Sequence, residues 1–322
     1  MGNLSHGRLR YRRSVRVLVH VPHPVLERIA AEDPGVTFVP VPTSGEIAPE
    51  VRGEVLLTLP WGAPNLAEAL ERGVRWIHTI GTGVDRFPLE RVGERVLTCA
   101  RGASSVPIAE WVMAMLLAFE KQVPEVWLGA PPERWRFRDL GGLEGRCLGL
   151  VGLGGIGEAV ARRALPFGMR VLALRRSDAP SPIEGVEIVR ERAALLARAD
   201  HLVLAASATP GTHHWMGREA FAELKPGLHL VNVARGSLVD QDALREALDG
   251  GRVARASLDT VEPEPLPAGH WLYAHPQVRL SAHVSWNAPD AVARLFETFA
   301  DNLRRYRAGR PLVGVVDPRL GY

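Results

Sequence analysis

Lysine is nearly missing from this chain. Of 39 basic residues among 322, only Lys121 and Lys225 are lysines, and the rest are arginine. That leaves few candidates for a Schiff-base or lysine general-base enzyme. It favours chemistry in which planar guanidinium forks grip carboxylate or phosphate, although most of the excess reads as coding bias. Cysteine is scarce too. Cys99 and Cys147 alone build neither a disulfide framework nor a multi-cysteine metal site. No charge of one sign dominates: 36 acidic residues leave a net +3, which is no footprint for nucleic acid. The longest strongly apolar run, Trp111 to Phe119, is nine residues, too short to span a bilayer. The first 14 residues are polar and basic, with no apolar core or cleavage site before Pro22 and Pro24. A secretory signal is therefore not expected, and the segment reads as a loose N-terminal arm on a cytoplasmic protein.

What is present is ordinary for a globular chain: 46% hydrophobic and 23% charged residues, over a length that suits two domains. Apolar, β-branched runs alternate with helical segments. In the first third the strands are expected at Val15–Val21, Val36–Val41, Val55–Leu59, Trp76–Ile80 and Val96–Ala100, with helices at Pro24–Ala31 and Leu66–Glu71. Strands apolar on both faces and separated by helices imply a doubly wound parallel sheet. A long helix begins near Ser105, with Pro107 in its first turn. An irregular stretch, Pro124 to Gly145, follows it. A second series of strands is expected at Cys147–Val151, Val171–Leu174, His201–Ala206, His229–Ala234, Ala254–Leu258 and Val278–Ala282, and a last helix at Asp290–Arg307.

Leu148 to Gly157 runs Leu-Gly-Leu-Val-Gly-Leu-Gly-Gly-Ile-Gly, an apolar strand entering a Gly-x-Gly-x-x-Gly turn, with a helix expected from Glu158. Gly152, Gly154, Gly155, Ile156 and Gly157 would let backbone approach a pyrophosphate held on the helix N-terminus. The next strand ends in Leu174-Arg175-Arg176-Ser177, where an NAD-selective fold places a carboxylate for the ribose 2′-hydroxyl. Arg175, Arg176 and Ser177 suit a 2′-phosphate dianion instead, so NADP(H) is predicted. NAD(H) is the alternative if Asp178 serves the ribose.

Four segments in order resemble the D-isomer-specific 2-hydroxyacid dehydrogenase family: Leu148–Gly157, Leu230–Asp240 (Leu-Val-Asn-Val-Ala-Arg-Gly-Ser-Leu-Val-Asp), Ser257–Pro265 (Ser-Leu-Asp-Thr-Val-Glu-Pro-Glu-Pro) and Ser281–Ser285 (Ser-Ala-His-Val-Ser). The likeness runs from Val15 to about Gly309. It implies two doubly wound α/β domains: a Rossmann cofactor domain at 105–286, inserted in a flavodoxin-like substrate domain made of 1–104 and 287–322. It implies that Arg235 grips the substrate carboxylate and ketone oxygen, that His283 is the general acid/base, and that a glutamate pairs with His283. Spacing alone separates Glu262 and Glu264 poorly, and the family pattern favours Glu264. Asp259 matches the residue at the nicotinamide end of the cofactor, and Val233, Ala234, Ser105, Ser207 and Thr212 fall on the cofactor side. Ser207 stands where the family often has proline.

In the first half, Ile80-Gly-Thr-Gly-Val-Asp85 resembles the substrate-domain loop, whose backbone at Thr82 and Gly83 would hold the carboxylate. Trp61, Trp135 and Trp286 are candidates for the pocket that sets specificity. His213-His214 has no third metal ligand at suitable spacing, so no metal is expected. The family is usually dimeric, and the helix 107–121 with Trp127–Trp135 would form that interface. The chain is expected to work without the regulatory extension of some phosphoglycerate dehydrogenases. The reading is a reductase of small 2-keto acids such as glyoxylate or hydroxypyruvate, acting without nucleic acid or membrane. The alternatives are a non-enzymatic nucleotide-sensing or corepressor-like protein on the same fold, or an NAD-dependent, phosphoglycerate dehydrogenase-like enzyme.

Overall fold

Val15, Val17, Leu18 and Val19 are all buried, which a strand achieves only when both its faces are covered. The structure, a computed structural model, describes residues 14–135 and 137–322. The expected N-terminal arm lies outside these residues, Ser14 excepted. The chain divides into two compact units, one taking the chain up to Ala103 together with Pro289–Tyr322, the other Ser104–Ala288.

The first unit contains β1 (Val15–Val19), α1 (Pro24–Glu32), β2 (Val36–Pro40), β3 (Val55–Thr58), α2 (Leu66–Glu71), β4 (Trp76–Thr79) and β5 (Val96–Cys99). Its five strands are parallel in the order β2-β1-β3-β4-β5, the flavodoxin-like order. One core cluster covers each face.

The second unit runs α3 (Ser105–Glu120), β6 (Cys147–Val151), α4 (Gly155–Ala164), β7 (Arg170–Leu174), β8 (Val186–Val189), α5 (Arg192–Leu196), β9 (His201–Leu204), α6 (Arg218–Ala222), β10 (Leu228–Asn232), α7 (Gln241–Asp249), β11 (Val253–Leu258) and β12 (Val278–Leu280). Its seven parallel strands lie in the order β12-β11-β10-β9-β6-β7-β8. Taken from β6, that is the Rossmann order with one strand added. The chain then returns to the first unit as α8 (Ala291–Arg307). There Phe299 stacks on Trp76 at 5.6 Å, and the Asn302 amide pairs in both directions with the Val313 backbone at 2.8 Å.

Three expectations are corrected. Several strands end one or two residues before their apolar runs do; β10 stops at Asn232, because Val233 and Ala234 already turn toward the loop. Helix α4 starts at Gly155, not Glu158, since Gly155 and Gly157 themselves form its first turn. Strand β8 has no counterpart in the sequence reading: its four residues, Val-Glu-Ile-Val, lie at a sheet edge with only the two valines buried, and carry too short an alternation to stand out.

Four histidines are structural. His20 Nδ1 meets Thr58 Oγ1, and His78 Nδ1 meets Thr98 Oγ1, each at 2.8 Å. Burial pushes these rings down to about 4 and about 3. His229, between His201 and the Ser257 hydroxyl, is also driven well below the usual histidine range by burial. None of these three is a proton donor near neutrality.

Candidate active site

The glycine turn shows why it needs glycine. Gly152 has φ +99°, and a Cβ there would sit 2.9 Å from the Ala205 carbonyl oxygen at the end of β9. A Cβ on Gly157 would lie 2.2 Å from the Gly152 oxygen, so only glycine lets α4 close on the turn. Gly154, the N-cap of α4, meets nothing within 4 Å. That open face beside unpaired helix N–H groups fits the pyrophosphate of a dinucleotide.

Beyond β7, Arg175 Nη1 reaches the Pro180 carbonyl at 3.4 Å, and Arg176 and Ser177 are exposed. Sequence reasoning missed Arg190. From the end of β8 its guanidinium donates to the Ser177 and Asp178 carbonyls, both at 3.0 Å, and pairs with the Asp178 carboxylate at 3.1 Å. No local signal announces it, because β8 itself was not legible. The carboxylate in best position to serve a ribose hydroxyl thus already faces a guanidinium. Ser207, Thr209 and Thr212 form one turn after β9, in which the Thr212 hydroxyl donates to the Ser207 carbonyl at 2.8 Å and accepts from Thr209 N–H at 2.8 Å. The hydrogen-bonded threonine box replaces the stiffness that a proline at 207 would supply.

Arg235 follows β10 by three residues, on a turn braced by a second residue the sequence did not single out. Buried Asn232 accepts from Ala234 N–H at 3.0 Å and donates to the Arg235 carbonyl at 2.9 Å. Its signal was its place in the Leu230–Asp240 segment. Val233 and Ala234 are buried behind the same turn.

The two glutamates that spacing left unresolved separate in the fold. Glu264 Oε2 lies 3.0 Å from His283 Nδ1, and its Oε1 accepts from Val261 N–H at 3.1 Å. Glu262 is exposed and faces elsewhere. Burial raises the Glu264 pKa, but the His283 bond, the Val261 N–H and the positive charges of His283 and Arg235 outweigh it, holding the carboxyl below its ordinary value. The same charge effect places Arg235 near this pair. Nδ1 of His283 is engaged by the carboxylate, and Nε2 is the ring nitrogen outside that pair.

His283 takes a left-handed backbone conformation, φ +53°, unusual for a residue with a side chain. The surrounding bonds enforce it. His283 N–H donates to the Asp259 carbonyl at 2.9 Å, and the Trp286 indole N–H donates to the His283 carbonyl at 2.9 Å. The buried Asp259 carboxylate accepts from the Ser281 hydroxyl at 2.5 Å, Val284 N–H at 2.9 Å and Ser285 N–H at 3.0 Å. Asp259 therefore holds the histidine loop, a job the resemblance did not assign it. Trp286 does likewise, while Trp61 and Trp135 are largely exposed. Ser105 is buried in the first turn of α3. Thr82 and Gly83 lie in the other unit, half buried in the turn after β4.

Replacing Glu264 by Gln should lower kcat by about 10²-fold, because an amide holds the ring without favouring the imidazolium. The sign with pH follows from the lowered carboxyl value: charge on Glu264 is complete above the ordinary range near 4.3 and is lost only as pH falls through the lower folded value. Reductive kcat in the unaltered protein should show no acid limb from about pH 7 to pH 5, and a fall of half or more across that window would refute the assignment.

Residues 113–285 match the model of the D-isomer specific 2-hydroxyacid dehydrogenase NAD binding domain. Glyoxylate/hydroxypyruvate reductase A of Serratia proteamaculans is 30% identical over 82% of this chain and 87% of its own length. A D-3-phosphoglycerate dehydrogenase of Methanocaldococcus jannaschii is 34% identical over 69% of this chain, but only 44% of that longer protein is covered. The crystal structure of a D-isomer specific 2-hydroxyacid dehydrogenase from Xanthobacter autotrophicus, in complex with NADPH and MES, superposes with a TM-score of 0.82 at 27% identity, covering 96% of this chain and all of that one. The chain belongs to the D-isomer-specific 2-hydroxyacid dehydrogenase family.

Proposed function

We propose that this protein is an NADP(H)-preferring reductase of small 2-keto acids, with glyoxylate and hydroxypyruvate as first substrates. The observation that carries the reading is the His283–Glu264 pair at 3.0 Å, set in a loop locked by Asp259 and influenced by the charge of Arg235. A nucleotide sensor has no use for a proton donor so placed. Gly152–Gly157 and the start of α4 would hold the pyrophosphate, and NADPH supplies the hydride when bound. Arg235 binds the substrate carboxylate and orients the ketone, with the backbone at Thr82 and Gly83 as further carboxylate donors. His283 holds a proton at Nε2 and delivers it to the C2 oxygen, and Glu264 keeps the ring oriented and its charge compensated. In this reading 1–104 with 287–322 is the substrate domain and 105–286 the cofactor domain.

The NADP preference rests on Arg175 and Arg176, and on Arg190 occupying Asp178; the Xanthobacter structure, in complex with NADPH, points the same way. We also infer a homodimer, because the segment after α3 exposes Trp127, Leu128, Trp135, Phe137 and Leu140 together. A cytoplasmic location accords with two free, buried cysteines, Cys99 and Cys147.

A panel of 2-keto acids assayed with NADPH and NADH tests the whole reading. NADPH should give the higher kcat/KM, and Arg175→Ala with Arg176→Ala should cut the NADPH value about 10- to 100-fold while leaving NADH nearly unchanged. Equal efficiency with both cofactors overturns the preference, and no turnover of any keto acid overturns the function.

A further inference from the structure

Two histidines and a glutamate that the catalytic reading does not use lie together on the surface of the second unit. Imidazole and carboxylate atoms of His213, His214 and Glu262 all lie within 4.8 Å of one another. Along the chain the pair of histidines lacked a third partner; folding provides it from a segment 48 residues further on. We propose that His213, His214 and Glu262 form a binding site for a divalent transition metal of the zinc type, independent of the hydride-transfer chemistry.

Neighbouring side chains in an extended chain point to opposite sides, so adjacent histidines rarely chelate together. Here His213 is extended, with φ −61° and ψ 128°, and His214 turns left-handed at φ +49°. The two rings are thereby stacked at 4.0 Å and 25°. This conformation is anchored: His213 N–H bonds to the Thr209 carbonyl at 3.1 Å, and His214 N–H to the Ser237 carbonyl at 2.8 Å. Glu262 is held by its own backbone, whose carbonyl accepts from the Gln241 side chain. The same backbone packs so closely on Gly236 that a Cβ there would meet the Glu262 nitrogen at 2.4 Å. Both halves of the site are thus positioned by main-chain contacts.

Two neutral imidazoles and one carboxylate form an N₂O set of net charge −1. Such a set suits zinc, cobalt(II) or nickel and disfavours magnesium and calcium, which prefer oxygen throughout. Ligand atoms around a tetrahedral zinc lie roughly 3.4 Å apart. All three side chains are exposed, so small rotations close the remaining gap and water completes the coordination. A bound ion would tie the 209–214 turn to the segment that carries Glu264, two residues beyond Glu262.

The test is equilibrium dialysis of untagged, chelator-treated protein against ZnCl₂ with excess MgCl₂, read by metal analysis, alongside thermal melts. One zinc per chain is expected, with a Tm that climbs as zinc rises. His213→Ala, His214→Ala and Glu262→Gln should each weaken binding about 10-fold or more and abolish the Tm rise, with melts in chelator matching the unaltered protein. Because all three positions are exposed, their folding is readily verified by those same melts. Substoichiometric zinc in the unaltered protein, or equal zinc uptake by the three variants, overturns the proposal. Keto-acid reduction is assayed separately in chelator, so failure of the metal site and failure of the reductase reading are distinguishable.

Discussion

His283→Asn should lower kcat for keto-acid reduction by about 10³-fold, with KM changed by no more than a few fold. Hydride arrival at C2 places negative charge on the ketone oxygen, and a positioned acid relieves it; removing such a group typically forfeits 10²- to 10⁴-fold. Five other histidines are engaged elsewhere. His20, His78 and His229 are buried against hydroxyls and held neutral by burial, and His213 and His214 face Glu262. The His283 side chain is 38% exposed, so little packing is lost and the variant should melt near the unaltered protein. The decisive measurement is single-turnover reduction at saturating keto acid. A variant that keeps a tenth of the original rate would show that water or another group supplies the proton.

Arg235→Ala should reduce kcat/KM about 10³-fold, which corresponds to roughly 4 kcal/mol of lost transition-state binding. Unlike the histidine variant, it should raise KM as well, since in the proposed mechanism the guanidinium holds the carboxylate before and during hydride transfer. Arg235→Lys should recover only a small part of this. An ammonium restores the charge but not the planar pair of donors that spans a carboxylate and an adjacent ketone oxygen. The two replacements separate charge from geometry: equal activity of the lysine variant and the original would remove the fork from the mechanism. The turn should survive either change, because Asn232 braces it through the backbone at Ala234 and Arg235 rather than through the guanidinium.

Much of the fold was legible because its signals are local. A buried parallel strand such as β6 is apolar along its whole length, and the glycine turn needs its glycines within six residues of one another. Edge elements were not legible. The four residues of β8 carry too little periodicity, and Arg190 was lost with them. The α4 boundary was missed because glycine in a first helical turn looks like loop when judged by propensity alone.

The candidate site divides along the same line. The order of Arg235, Glu264 and His283 was readable because each sits in a short segment with its own pattern. The partition of partners was not. Glu262 and Glu264 are two residues apart, and nothing in their spacing says that one meets His283 and the other meets His213 and His214. Likewise the strained backbone of His283 depends on Asp259, Ser281, Ser285 and Trp286 closing around it.

The sequence by itself determined the strand-and-helix alternation, the dinucleotide turn and the candidates for the reacting side chains, since these depend on neighbours within a few residues. Only the tertiary structure decided which carboxylate faces which imidazole, which guanidinium occupies Asp178, and that adjacent histidines acquire a third ligand. Those outcomes join residues 12 to 49 positions apart. They are settled by the packing of β-strand ends and loops against one another, a property that no local pattern encodes.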